Sequence, residues 1–356
     1  VYFPKSDGYY IFNQSSVPTE KIVTEYNGNL VQCSSIIGDN ATIQIDGFIG
    51  FKTSGIDNFY CINMNFVMVN SYLTNVDLVK SGNTILCNLE NRVSSYYNNL
   101  SFKWNIDNEN GTQRGRQCII DDVNKGYYGN IVGYNLIGIL YARGKNFIID
   151  NITAYNCQTE IQADGTNYKV RNISLINTLE QSQTWVQKNH PTTPDEHFNG
   201  MDLILCIGDN YSIHHINAVN PIERAIYSQG SNVSASKLRC VNGDGFKFVG
   251  ASRDKLAKNI TIEDATLIID GDISQTIQPY NTVAQIYLVE NIKFKNINVF
   301  INNDSGVGVS SCFPISRYSK NVIIEDVVID GMVDTFCHVV MSSEDGLSAE
   351  DYIIAD

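Results

Sequence analysis

Three charged residues recur at one place relative to the glycines that follow them. Asp202, Arg224 and Asp244 each lie six residues ahead of a glycine (Gly208, Gly230 and Gly250), and Thr159 holds the same place ahead of Gly165. If these positions stack on consecutive turns of one sheet, about 4.8 Å apart, Asp202 and Asp244 flank Arg224 with roughly 9 to 10 Å between their backbones. Paired carboxyl groups are what glycoside hydrolysis requires. One protonates the leaving oxygen, and the other activates water or attacks carbon. The wider spacing suits an inverting mechanism better than a retaining one, which needs about 5 Å. Crowded acids raise one pKa and so provide a proton donor at neutral pH. Glu223 adjoins the column, and Asp195 and Glu196 lie just before it, so all five carboxyls are acid/base candidates.

Three residues ahead of each glycine runs a second column: Tyr141, Gln162, Leu205, Tyr227 and Lys247. Aromatic and polar groups interleaved in this way suit sugar stacking and hydroxyl bonding. Arg224, Tyr227, Lys247, Trp185, Tyr141 and Gln162 are the substrate-binding candidates. The same groove serves a second chemistry, elimination at a uronic acid. Arg224 or Lys247 would neutralise the carboxylate there, and Tyr227, Lys247 or His197 would remove the proton. A third reading is a protein that binds glycan without cleaving it, its Asp column simply paired with Arg224. His214-His215 has no third ligand, and no metal or cofactor is assigned.

Such columns demand a repeat, and the chain carries one. Seven segments open on Asn and place apolar residues one, three, six and eight positions later. Asn146 precedes Phe147, Ile149, Ile152 and Ala154; Asn210 precedes Tyr211, Ile213, Ile216 and Ala218; Asn167, Asn232, Asn259, Asn291 and Asn321 open the same pattern. Alternation interrupted once by an extra residue describes two short strands meeting at a bend. A period of roughly 20 to 32 residues is that of a β-solenoid. Ten residues after four of the openers stand Asn156, Asn177, Asn220 and Asn242, suited to an amide ladder at a sharp turn. Ala251 to Lys258 reads as a bulge between coils. The stretch from Thr178 to Phe198 lacks the apolar pattern, and its inward places would be His190, Thr192, Asp195 and His197. Burying that set unpaired costs several kcal/mol, so it reads as a loop leaving after Asn177 and returning at Asn199. In this register Asp202, Arg224 and Asp244 face outward, opposite Ile204, Ile226 and Phe246.

Composition narrows the class. A net charge of −13 over 356 residues argues against nucleic acid or an anionic membrane as partner, though not against an acidic glycan met by a local basic groove. No apolar run approaches the roughly 20 residues of a membrane helix, so no membrane insertion is expected. Nine Cys, none in a C-x-x-C pair, read as free thiols, with Cys206 and Cys240 at interior positions, which points to assembly in a reducing compartment. Asn151-Ile-Thr and Asn259-Ile-Thr fall inside predicted strands, where glycans would not fit. The opening at Val1, without Met or an apolar h-region, reads as a processed chain or one whose true start is unseen. The chain shows no nucleotide loop, zinc spacing or nucleophile elbow, which disfavours phosphoryl transfer, metal-assisted hydrolysis and serine hydrolysis.

The Asn-rich coils, the unpaired Cys and the strand-rich opening Phe3-Pro4-Lys5-Ser6-Asp7-Gly8-Tyr9-Tyr10 resemble the pectate-lyase-like β-helix proteins. Among them the chain is most similar to bacteriophage tailspikes that degrade capsule or O-antigen polysaccharide. The likeness spans about residues 40 to 345 and rests on pattern. It implies an all-β, right-handed parallel β-helix that acts as an endo-depolymerase of a bacterial surface polysaccharide. It further implies a homotrimer on a virion tail, assembled in the bacterial cytoplasm. Residues 1–45 are read as the lead-in and cap of the solenoid and residues 46–356 as the β-helix domain.

Overall fold

Apolar alternation broken by one extra residue folds into three short faces per coil. The computed structural model describes residues 1–13, 22–25, 28–46, 49–69, 85–104, 117–136, 138–157, 161–178, 202–270, 282–302, 309 and 311–340. In a representative coil, Ile226–Gln229 forms the first face, and Gly230 to Asn232 turn the chain. Val233–Val241 then covers the second and third faces, bending at Lys237, and residues 242–245 return the chain to Phe246–Val249 on the next coil. Each coil pairs in parallel with the next, from Phe147–Tyr155 through Ile161–Ile176, Ile204–Val219 and Val233–Val241 to Lys320–Asp330. The architecture is the right-handed parallel β-helix, right-handed crossover being the sense that twisted strands enforce. Among the described strands only Ile22–Glu25 and Gly28–Gln32 pair antiparallel.

The bends follow from residues that tolerate left-handed backbone. All seven Asn openers have φ between 51° and 62°. The extra residue five positions later is left-handed as well, at Asn151, Asn172, His215, Lys237, Asp264, Asn296 and Asp326. Short polar side chains accept this geometry because they bond locally. The openers also bond along the solenoid axis: Asn232 donates to Asn210 at 2.9 Å, Asn259 to Asn232 at 3.0 Å and Asn321 to Asn291 at 2.8 Å. Asn151 and Asn259 lie within strand spans, as expected, but at exposed bends. At the end of the first face stands a glycine ladder. Gly208 has φ +112°, and a Cβ there would lie 1.8 Å from the carbonyl oxygen of Gly165. No other residue fits that approach.

The interior is a set of like-on-like stacks. Phe147, Tyr168 and Tyr211 stack nearly parallel at 4.7 and 4.6 Å, and the Tyr211 hydroxyl is 2.7 Å from Ser228 Oγ. Ile204, Ile226 and Phe246 line the first face inward, each worth about 1.5–3 kcal/mol of burial. Every Cys is free, and all but Cys337 are buried. Burial pushes the Cys206 and Cys240 thiols up to about 12. A balanced ion pair is also buried: Arg92 Nε lies 3.0 Å from Asp121 Oδ1, while Tyr128 and Asn88 donate to the same carboxylate. Strand Ile161–Ile176 pairs directly with Ile204–Val219, the register expected if the intervening segment is an insertion. The Ala251 bulge closes through Ser252 and Lys255 and rejoins the ladder at Ala257.

Lys237 occupies a left-handed bend that Asn or Asp holds on most other coils. Lys237→Asn is expected to remove part of a penalty of about 1 kcal/mol and raise Tm by roughly 1–2 °C. Scanning calorimetry of the two proteins checks this, and an unchanged or lower Tm counts against it.

Candidate active site

The charged column lies at the corner where the third face returns to the first. Backbone bonds lock this corner from coil to coil: Leu203 N–H donates to Arg224 O, Asp244 N–H to Glu223 O, and Ala225 N–H to Gly245 O. Ile204 pairs with Ile226, and Ile226 with Phe246, so Asp202, Arg224 and Asp244 stand on successive coils as the glycine spacing predicts. The same register carries the column on to Thr282, through the pairing of Phe246 with Ala284.

The outward orientation expected for this column is corrected. Asp202, Glu223, Arg224 and Asp244 are 2, 3, 8 and 4% exposed. Residues two apart in a strand share a face, so a position two ahead of an inward Ile is itself turned in. These residues also precede the strands, on the corner segments, where they pack between neighbouring coils.

At the centre, Arg224 meets three carboxyls. Its Nη1 lies 3.2 Å from Asp202 Oδ1 and contacts Glu223 Oε1, and its Nε lies 3.5 Å from Asp244 Oδ2. Asp244 is the best-solvated of the three by protein groups. The Thr282 N–H and hydroxyl both donate to its Oδ1 at 2.9 Å, and Gln285 Nε2 donates to Oδ2 at 2.9 Å. Glu223 Oε2, in contrast, is buried without a hydrogen-bond partner. Burial raises Asp202 against the pull of Arg224. Burial likewise raises Asp244 to about 7, opposed by Arg224 and Thr282. Glu223 goes to about 8, chiefly through burial and then through Asp202. Lys247 is lowered, first by burial and then by Arg224, although the three carboxyls oppose this. Three acids therefore face two cations, and Glu223 is the group that holds the surplus proton at neutral pH. The guanidinium fills the centre of the acid cluster. Among the described residues no group of three His, Cys, Asp or Glu is placed to hold a metal.

The second column is as expected. Tyr141 pairs with Gln162, Gln162 with Leu205, Leu205 with Tyr227 and Tyr227 with Lys247, all half-buried on the outer side of the first face. Lys247 Nζ sits 5.3 Å from the Tyr227 ring centre and 5.6 Å from that of Tyr287. Tyr141 and Gln162 stand two coil steps and one from Leu205, whose coil carries Asp202, roughly 10 and 5 Å along the axis, and four and three steps from Lys247. Tyr141 approaches Asp164 at 3.4 Å. Trp185, Asp195, Glu196, His197 and Thr159 lie outside the described residues. Sequence reasoning missed Thr282, Gln285 and Tyr287. The signal was present but disguised: Leu288 stands in the place of the ladder glycine, left-handed at φ 56°, with Thr282 six and Gln285 three residues ahead of it.

No family model matches the chain, and no curated protein matches it. Among solved structures it is similar to the catalytic domain of a GH87 alpha-1,3-glucanase in complex with tetrasaccharides, at 11% identity and a TM-score of 0.34. The match covers 94% of this chain and 64% of that one, so the chain spans less than two thirds of its solved relative. The likeness concerns the fold alone.

The raised pKa of Glu223 makes a stability prediction. A carboxyl whose folded pKa lies above its unfolded value favours folding when protonated, and that contribution is lost as pH rises from about 4.5 through about 8. Glu223→Gln mimics the protonated group at every pH. Its Tm is expected to match the parent near pH 4.5 and to exceed it by several degrees at pH 9. Parallel melting curves across this range test it, and a variant less stable at pH 9 would contradict the assignment.

Proposed function

We propose that the chain is a glycoside hydrolase, an endo-acting depolymerase of a bacterial surface polysaccharide, with Glu223 as general acid and Asp244 as general base. The observation that carries this reading is the acid surplus at the Arg224 corner. One carboxyl is held protonated near neutrality, and another is supplied with three hydrogen bonds that favour its charge. Burial raises both carboxyls, Glu223 to about 8 and Asp244 to about 7. The hydrogen bonds from Thr282 and Gln285 make Asp244 the first of the two to ionise and Glu223 the one that keeps its proton longer. Glu223 would give its proton to the glycosidic oxygen as the C–O bond breaks. Asp244 would take a proton from the water that attacks the anomeric carbon. Asp202 pairs with Arg224, and Arg224 bridges Glu223 and Asp244. Tyr227 and Lys247, with Gln285 beside them, form the adjoining outer surface on which a sugar ring would lie.

The balanced pair Arg92–Asp121 provides an internal comparison. It has one cation for one carboxylate and lies wholly within the core; burial raises Asp121 as it raises the Arg224 carboxyls, so the difference between the two sites is the extra acid. Burial of the Arg224 cluster does favour a second reading, a non-catalytic glycan-binding protein whose charged corner only fixes coil register. Elimination is the weaker alternative, because Arg224 is already committed to three acids and only Lys247 is left to neutralise a uronate carboxylate. The setting that accompanies the hydrolase reading is a homotrimeric spike on a bacteriophage tail.

Incubation with a panel of capsule and O-antigen polysaccharides, following reducing ends and absorbance near 235 nm together, separates these readings. Reducing ends without absorbance are expected, falling on the alkaline side as Glu223 loses its proton near pH 8. Glu223→Gln and Asp244→Asn should each lower the rate by about 10²–10⁴ while leaving glycan binding in place. Binding with no products in either assay would leave the non-catalytic reading standing instead.

A further inference from the structure

The bend between the second and third faces breaks its own rule on two successive coils. Its left-handed place is held by Asn99, Asn130, Asn151 and Asn172, then by His215 and Lys237, and afterwards by Asp264, Asn296 and Asp326. Amides here bond along the axis: Asn99 donates to Asn63 at 2.9 Å, Asn172 to Asp150 at 2.8 Å and Asn296 to Asp264 at 2.6 Å. Between Asn172 and Asp264 the described residues of this column form no such bond. His215 and Lys237 therefore hold φ of 55° and 56° without the local bonding that makes this backbone tolerable for Asn and Asp. Strain of this kind collects where a side chain is put to use.

Both departures put a basic side chain on the outside of the solenoid, and other bases gather round them. Pairing sets Arg171, His214 and Ser236 on successive coils, with Lys169, Ser212 and Ser234 in the column two residues earlier. Arg239 stands two residues beyond Lys237, and Lys169, His215, Lys237 and Arg239 are all exposed. Burial, then His215, Lys169, Lys237 and Arg171, hold the His214 imidazole below its ordinary range, so these four groups lie within electrostatic reach of it. The His214 Nδ1 is 2.8 Å from Ser236 Oγ. The acids that border the patch are Asp150 on one side and Glu263 and Asp264 on the next coil. Asp150 already accepts from Arg171 and Asn172, both at 2.8 Å, and Asp264 accepts from Asn296. Among the described residues Lys169 and Lys237 form no ion pair, and Arg239 donates to the neutral Asn217 Oδ1 at 2.7 Å.

Like charges on adjoining coils repel, and an oxyanion shared between them relieves that repulsion. The bases cover three coils, roughly 10 Å along the axis, which is more than one oxyanion spans. Ser212 and Ser234 beside them offer hydroxyls that both donate and accept. We propose that this bend is a binding site for an acidic saccharide, in which Lys169, His215, Lys237 and Arg239 take its oxyanions while the serines meet its hydroxyls. The oxyanion is a carboxylate or a sulfate-type ester. The proposal rests on the reading of the chain as a glycan-active protein but not on any catalytic role for Glu223.

Affinity electrophoresis of the full chain through gels containing polygalacturonate, dextran sulfate or neutral dextran tests it. A net charge of −13 works against polyanions over the surface as a whole, so retardation reports a local site. Retardation by polygalacturonate assigns a carboxylate, and retardation by dextran sulfate assigns a sulfate-type ester; dextran should give none. The double variant His215→Asn/Lys237→Asn restores at both bends the residue that most other coils use. It is expected to weaken retention by about 10-fold with a Tm equal to the parent's or higher, so that the loss cannot be traced to the fold. Lys169→Gln/Arg239→Gln, at exposed strand positions off the bend, should weaken it similarly. Lys103→Asn removes an exposed charge four coil steps away and should be retained like the parent, as should Glu223→Gln. No retardation by either polyanion, equal retardation by dextran, either double variant held as tightly as the parent, or an equal loss in Lys103→Asn would overturn the proposal. A chain that cleaves a glycan through Glu223 while ignoring both polyanions keeps the hydrolase reading and loses this one. Retention that depends on His215 and Lys237, without cleavage of any glycan, does the reverse.

Discussion

Coil-to-coil hydrogen bonding is the constraint on which everything else in this molecule depends. Parallel pairing places each residue over its equivalent at about 4.8 Å, so a residue's nearest neighbours are set by register. Groups that attract their own kind are then free to repeat. Amides bond along the Asn columns, and rings stack from Phe147 to Tyr168 to Tyr211. Charges cannot repeat in this way. A column of acids must be interrupted by a base, which is why Arg224 lies between Asp202 and Asp244.

The two buried ionic sites show how much the surplus matters. At Asp121 one guanidinium, a Tyr hydroxyl and an amide answer one carboxylate, so the charges balance, although burial raises that carboxyl as well and Arg92 Nη1 is buried without a hydrogen-bond partner. At Arg224 a third acid is brought to a site that two cations serve. Desolvating ions costs several kcal/mol each, and a fold gains nothing in stability by adding a carboxyl that must take up a proton. The arrangement makes chemical sense if that proton is used.

The repeat, the faces and the column register were legible because they depend on side-chain types that recur for steric reasons. Left-handed corners select Asn, and the closest backbone approach selects Gly, as at Gly165 and Gly208. The depth of Asp202, Arg224 and Asp244 follows from alternation once each is counted two ahead of inward Ile204, Ile226 or Phe246, and counting from the glycines alone concealed it. Thr282 and Gln285 escaped notice for a related reason: Leu288 adopts the left-handed backbone that glycine marks elsewhere. Trp185, Asp195, Glu196 and His197 fall in a segment without repeat, where pattern has nothing to act on.

The spacing between coils also bears on how the chain folds. Equivalent residues are 43 positions apart between Ser174 and Asn217, but only 22 apart between Asp202 and Arg224, and 38 apart again between Asp244 and Thr282. Closing a loop costs conformational entropy that grows slowly with its length, about 0.6 kcal/mol for each doubling. In a solenoid, where order spreads from neighbour to neighbour, the long steps are the slower joints. The coils that carry Asp202, Arg224 and Asp244 lie between two such joints, as a block of local contacts. Asp202, Arg224 and Asp244 meet within that block, whereas the bonds from Thr282 and Gln285 that complete Asp244 wait on the 38-residue step beyond it.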